Sequence, residues 1–167
     1  MFASHPELLV GAGTVRTVEQ VQRAQDAGAR FVVSPGFSEP VVEACLARDV
    51  PVFPGSSSAT DIHRATEAGL DVLKFFPAEA SGGAAAIAAL VAPFPDVRFI
   101  PTGGVGPRNL ADYLRLPAVR CVGGSWMVPA DAMRTGDWHR ITELCRSAVE
   151  HVAKLRSSAK PVQCSRR

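Results

Sequence analysis

The sequence predicts an α/β fold of the (β/α)8 TIM-barrel type, with six βα units present, and three observations carry that reading. Short apolar runs alternate with helix-length amphipathic segments. The runs end near residues 11, 34, 54, 76, 101 and 123, a spacing of about 20–25 residues with a helix in every gap. Each run closes in a turn of glycine, serine, threonine or proline. Alternating strand and helix implies a parallel sheet covered by helices. Equal units with small or polar residues after every strand favour a barrel over an open doubly wound sheet. No G-x-G-x-x-G opens a helix, which weighs against a dinucleotide fold.

The elements follow in order. Leu8–Val10 reads as a strand ending in Gly11-Ala12-Gly13-Thr14, and Thr17 or Thr14 can cap a helix over Val18–Ala27 that Gly28 stops. Phe31–Val33 is the next strand, followed by a helix over Pro40–Arg48 with proline in its first turn. Val50–Phe53 is the third, closing in Pro54-Gly55-Ser56, and its helix over Thr60–Ala68 is again stopped by a glycine, Gly69. Val72–Phe76 ends at Pro77, and after Ser81-Gly82-Gly83 an alanine-rich helix covers Ala84–Val91. Val97–Ile100 ends in Pro101-Thr102-Gly103-Gly104, with a short helix to Leu114, and Val119–Val122 ends in Gly123-Gly124-Ser125. Asp137–Leu155 closes the chain as an amphipathic helix, with Trp138, Ile141, Leu144, Cys145, Ala148 and Val152 on one face.

With 167 residues and 47% hydrophobic content the chain can bury one core. Residues 1–155 are expected to form a partial barrel domain, and residues 156–167 a polar, disordered tail. The net charge of +2 is small, and no stripe of basic and aromatic residues suggests a nucleic-acid partner. Four cysteines occur without a C-x-x-C pair or histidines at ligand spacing. They suit a reducing cytosol, with Cys45, Cys121 and Cys145 as small core residues. The opening residues lack the pattern of a signal peptide, and no apolar run approaches the ~20 residues of a membrane span. A soluble cytoplasmic protein with no membrane partner is expected.

Six units fall short of the eight a closed barrel needs. The two absent units would occupy roughly 45–50 residues at this period, and the expectation is that the sequence starts two units late. An open barrel exposes two parallel strand edges, so the chain is expected to fold poorly or to associate.

The chemistry centres on Lys74, inside the apolar run Val72–Phe76. An ammonium beside so much hydrophobic mass loses hydration, and its pKa should fall. A partly neutral lysine can attack a carbonyl and form a Schiff base. If Lys74 points inward it stands in the barrel mouth; the alternative has Leu73 and Phe75 inward and Lys74 toward the helix layer. Thr102-Gly103-Gly104 and Gly123-Gly124-Ser125 would follow strands seven and eight, the usual phosphate site of such barrels, and Ser125 adds a hydroxyl. Thr14 can donate to a substrate carboxylate or cap a helix. Glu79, the nearest carboxylate, can serve as general acid/base or in a rim salt bridge. The histidines do not cluster; His63, His139 and His151 sit on predicted helices as surface residues.

Taken together, Gly11-Ala12-Gly13-Thr14-Val15, Ser34-Pro35-Gly36, Lys74-Phe75-Phe76-Pro77-Ala78-Glu79, Pro101-Thr102-Gly103-Gly104 and Gly123-Gly124-Ser125-Trp126 closely resemble the 2-dehydro-3-deoxy-phosphogluconate (KDPG) aldolases, from Pro6 to Leu155. These are the class I aldolases of the Entner–Doudoroff pathway, often also active on 4-hydroxy-2-oxoglutarate (KHG). The resemblance implies a (β/α)8 barrel, usually a homotrimer, that cleaves a phosphorylated keto-deoxy sugar acid to pyruvate and glyceraldehyde 3-phosphate. It implies that Lys74 is the Schiff-base lysine and that Thr14 holds the pyruvate carboxylate. Gly103, Gly104 and Ser125 match the phosphate-binding positions. No metal or cofactor is implied, because the protonated imine is itself the electron sink. The family also carries, before Gly-Ala-Gly-Thr, a glutamate that moves protons and an arginine that binds the substrate carboxylate. Neither is found in this sequence. Gly55-Ser56-Ser57-Ser58 stands where the family often reads Gly-Ile-Ser-Thr. The resulting expectation is an aldolase with impaired turnover; the alternative is a non-catalytic barrel that binds a phosphorylated ligand or associates with a related subunit.

Overall fold

Short strands joined through intervening helices cross over and pair in parallel. The computed structural model, which describes His5 and residues 7–158, has this arrangement. Strands β1 (Ala12–Gly13), β2 (Val32–Val33) and β3 (Val52–Phe53) pair in that order, as do β4 (Gly55–Ser56), β5 (Val72–Phe75) and β6 (Arg98–Pro101). All pairings are parallel. β3 and β4 flank Pro54: Val52 and Phe53 pair back to β2, Gly55 and Ser56 forward to β5. Proline has no N–H to give, but its carbonyl accepts from the Lys74 N–H at 2.9 Å, so the ladder continues across it. Beyond β6, single parallel bridges join Phe99 to Val119 and Thr102 to Gly123.

The helices are α1 (Val18–Asp26), α2 (Glu39–Leu46), α3 (Ala59–Glu67), α4 (Gly83–Val91), α5 (Leu110–Leu114), α6 (Ala130–Thr135) and α7 (Trp138–Ser158). Thr17 caps α1, its side chain accepting from the Gln20 N–H at 3.2 Å. Ser58 and Asp61 form a reciprocal capping box on α3. Gly28 and Gly69 follow α1 and α3 at φ 84° and 81°, the left-handed conformation that ends a helix cheaply only at glycine.

The core lies between sheet and helices. One cluster packs Leu73, Phe75 and Phe99 against Ile62, Ile87, Leu110 and Tyr113; a second packs Val32 and Val52 against Val21, Val41, Val42 and Cys45. Phe75 and Phe99 meet edge-on with centroids 6.2 Å apart. The opposite face of the sheet carries Phe31, Val33, Phe53, Lys74, Ile100 and Thr102, which line an open concavity.

Several expectations are corrected. The first strand is Ala12–Gly13; Leu8 and Leu9 before it are exposed, although the Val10 carbonyl still accepts from the Arg30 N–H. The third strand does not stop at Phe53 but resumes through Ser56, whose hydroxyl reaches the Lys74 carbonyl. The last strand is reduced to two bridges. Cys45 is buried, but Cys145 is half-buried and Cys121 exposed, because Cys121 faces the open concavity rather than the helix layer. His63 and His139 are exposed, His151 half-buried. α7 continues to Ser158, past the expected domain boundary, and Arg156 donates to the Arg120 carbonyl at 2.7 Å. The rest of the expected tail, with Cys164, lies outside the described residues. In keeping with six units, no barrel closes among the described residues: β1 has β2 as its neighbour on one side and none on the other.

Candidate active site

Strand alternation decides where Lys74 points. Leu73 and Phe75 are buried among the helices, so Lys74 between them faces the concavity, in register with Gly55 on one side and Ile100 on the other. The cavity there has a volume of about 670 Å³. Gly13, the last residue of β1, and Thr14 after it share its wall with Lys74, Thr102 and Gly123, and the remaining wall is mostly apolar.

Lys74 is only 8% exposed. Burial pushes its pKa below the usual lysine value, since the cation loses water and gains no counter-ion. Among the described residues no carboxylate comes within ion-pair distance of it. What the ammonium does meet is the face of Phe76, 3.9 Å from Nζ to the ring centroid. That contact favours the charged form by ~0.5–1 kcal/mol and so opposes the burial. The result is an amine that gives up its proton more readily than an exposed lysine and faces an apolar pocket of substrate size.

Thr14 sits at φ 59°, a strained conformation for a β-branched residue. Since Thr17 caps α1, Thr14 is not the cap, and its side chain is left at the cavity wall. Glu79 lies outside the pocket lining; its carboxylate accepts from the Tyr113 hydroxyl, and among the described residues it makes no salt bridge. Arg30 also lines the cavity, but just ahead of β2, at the strand end opposite Thr14.

Gly103, Gly104 and Ser125 lie on the rim, outside the cavity lining. The Thr102–Gly123 bridge sets their two turns side by side. Gly103 and Gly104 have φ values of 97° and 81°, and a Cβ on Gly104 would fall 2.5 Å from Glu79 Cγ. Gly123 is needed because Thr102 Oγ1 would lie 2.6 Å from a Cβ there. Among the described residues the N–H groups of Gly103, Gly104, Gly124 and Ser125 have no protein acceptor. Two adjacent turns thus present unpaired donors at the C-terminal ends of the strands, an arrangement suited to an anion. No helix N-terminus of useful length supports it, since α5 has five residues.

The sequence reading missed Phe31, Phe53 and Ile100 as parts of the pocket, and Phe76 as the ring against Lys74. Counting by twos from Lys74 finds Phe76, and the pairing register then gives Ile100. Among the described residues no group of histidines, cysteines and acids is placed to hold a metal, and no helix is long and apolar enough to cross a membrane.

Comparison with known proteins gives a consistent result. A family model described as KDPG and KHG aldolase matches residues 1–144. A 2-dehydro-3-deoxy-phosphogluconate aldolase of Treponema pallidum is 53% identical over 149 residues, covering 89% of this chain and 71% of that protein. The KHG/KDPG aldolase of Escherichia coli K12 is 50% identical over 145 residues, covering 87% and 68%. A crystal structure of KDPG aldolase from Legionella pneumophila, with pyruvate captured at low pH as a covalent carbinolamine intermediate, superposes with a TM-score of 0.85 at 42% identity and covers 87% of this chain and 71% of that one.

Proposed function

Because the chain belongs to the KDPG/KHG aldolase family, we propose that Lys74 is the nucleophile of its Schiff-base chemistry, with Thr14, Gly103, Gly104 and Ser125 holding the substrate. The chain is a class I aldolase, a carbon–carbon lyase of TIM-barrel type acting on a phosphorylated keto acid. A non-catalytic barrel is not favoured.

The observation that carries the assignment of Lys74 is its position: a desolvated, unpaired lysine in the apolar cavity beside Thr14. The neutral amine attacks the C2 carbonyl of the keto acid to give a carbinolamine, and loss of water leaves the iminium. The iminium then accepts the electron pair of the breaking C3–C4 bond as the C4 hydroxyl loses its proton. Cleavage leaves an enamine; water delivers a proton to its C3, hydrolysis of the resulting imine frees pyruvate and Lys74, and the other fragment leaves as glyceraldehyde 3-phosphate. In this reading Thr14 donates to the carboxylate, and the free N–H groups of the two glycine turns donate to the phosphate.

Among the described residues the cavity wall holds no carboxylate or histidine to take the C4 proton. Positioned acid/base help is typically worth 10²–10⁴-fold, so this chain is expected to form the imine readily and turn over slowly. Preference between KDPG and KHG follows from how strongly the glycine turns hold phosphate. A homotrimer in the cytoplasm fits the exposed Val128, Met133, Trp138 and Val149, which offer apolar surface to bury, and the free Cys45, Cys121 and Cys145. The test is trapping: incubate with pyruvate and borohydride, and locate the adduct by intact and peptide mass. The expected result is a single adduct at Lys74 that is lost in Lys74→Met; an unmodified wild-type chain sinks the assignment.

A further inference from the structure

Glu79 binds the turn after β5 to the turn after β6 by two contacts and to α5 by a third. Its N–H donates to the Gly103 carbonyl at 3.1 Å, next to the Ala78 N–H on the Thr102 carbonyl at 2.9 Å. Its side chain packs on Gly104, where no Cβ would fit. Its carboxylate is held by the hydroxyl of Tyr113 on α5, a residue wholly buried. Burial and the neighbouring carboxylate both push the phenol pKa up, so the hydroxyl keeps its proton and remains a donor. Gly83 opens α4 alongside the pair; a Cβ there would stand 3.4 Å from Glu79 Oε1 and 3.5 Å from the Tyr113 oxygen. The carboxylate therefore lies at the positive end of a nine-residue helix.

The same turn reaches the lysine from its other side. The Phe76 ring stands 3.9 Å from Lys74 Nζ, and a Cβ on Gly103 would come within 3.3 Å of that ring. A continuous line of contacts thus runs from Tyr113 through Glu79 to the Gly103–Gly104 turn and through Phe76 to Lys74. Neither Tyr113 nor Glu79 lines the cavity.

We propose that Tyr113, acting through Glu79, positions the Gly103–Gly104 turn relative to Lys74 and so sets the enzyme's affinity for the phosphate end of its substrate. The inference rests on the reading of those glycines as the phosphate site. Tyr113 and Glu79 are positioning residues that touch no substrate. A tyrosine that merely fills the core would, when altered, disturb every ligand of the pocket alike. One that positions the turn disturbs only ligands bearing phosphate.

That difference defines the experiment. Half-saturating concentrations for borohydride trapping at Lys74 are measured on the full chain with three keto acids: 2-dehydro-3-deoxy-6-phosphogluconate, its dephosphorylated form, and pyruvate. Tyr113→Phe keeps the ring and removes only the hydroxyl. It is expected to raise the value for the phosphorylated acid about fivefold, in line with one lost buried hydrogen bond, and to leave the other two within about twofold. Glu79→Ala should do the same, whereas Glu79→Gln, which keeps an acceptor oxygen, should stay near wild type. An equal rise for all three acids, or no change in Tyr113→Phe, overturns the proposal. If wild type binds the phosphorylated and dephosphorylated acids equally, the phosphate site itself fails and the inference with it. A wild-type chain that traps none of them refutes the assignment of Lys74.

Discussion

Lys74 is held between two opposed effects, and their sizes decide how it behaves. Desolvation favours the neutral amine; the face of Phe76 favours the ammonium. Replacing Phe76 by leucine keeps the pocket apolar but removes the ring's quadrupole. The Lys74 pKa should then fall further, moving the acid limb of the trapping rate against pH to lower pH. A limb that moves up would mean that water entry, not the ring, governs the lysine. The same balance has a cost in stability. Lys74 binds its proton more weakly in the folded chain than in the unfolded one, whose lysine titrates near 10.5. The penalty is therefore full below the folded pKa and fades as pH rises through it toward 10.5. Lys74→Met should raise Tm near neutral pH by ~3 °C, a gain of about 1 kcal/mol, and the gain should shrink at alkaline pH. Thermal melts of both proteins across that range check the sign.

At the scale of the elements, α3 offers the cleanest test of local reasoning. Ser58 Oγ accepts from the Asp61 N–H at 3.2 Å, and Asp61 Oδ2 accepts from the Ser58 N–H at 3.1 Å. Ser58→Ala should cost ~1 kcal/mol in denaturant unfolding and leave pyruvate trapping at Lys74 unchanged; a loss of trapping would mean that α3 governs the site. The departure Gly55-Ser56-Ser57-Ser58 is thereby explained: Ser56 bonds the Lys74 carbonyl and Ser58 caps the helix. Caps and stops such as Thr17, Gly28 and Gly69 were legible because each acts on its own segment. Lys74 was legible because an unpaired cation in an apolar strand is costly wherever it points. Its direction was not, since alternation leaves two parities and only the packing of Leu73 and Phe75 against the helices selects one. α6 escaped notice because six residues after Pro129 hold too little periodicity to read. The tie between Glu79 and Tyr113 spans 34 positions and leaves no mark in either local pattern.

For the whole molecule, the open side of the sheet decides behaviour in solution. Among the described residues β1 has a neighbour only in β2, and Leu9 beside it is 71% exposed. Leu9, Phe31, Phe53 and Ile100 present the inner face of the sheet to solvent across a cavity of about 670 Å³. An unpaired edge next to a contiguous apolar face recruits further chain, because pairing satisfies the free N–H and C=O groups while it buries apolar area. Self-association is therefore expected, in proportion to concentration and weakened little by salt, since apolar side chains drive it. Leu9→Lys places a charge where the edge must pair, the device by which natural edge strands stay single. Sedimentation velocity over a concentration series should show the wild-type chain shifting to larger species and Leu9→Lys shifting less. Retention of one monomeric species by wild type, with a cooperative melt, would mean that the concavity is stable in water as it stands. The outcome bears on the chemistry as well. An associated chain that covers the cavity would dry the surroundings of Lys74 and depress its pKa further. Trapping by pyruvate should then begin at lower pH in concentrated wild type than in Leu9→Lys.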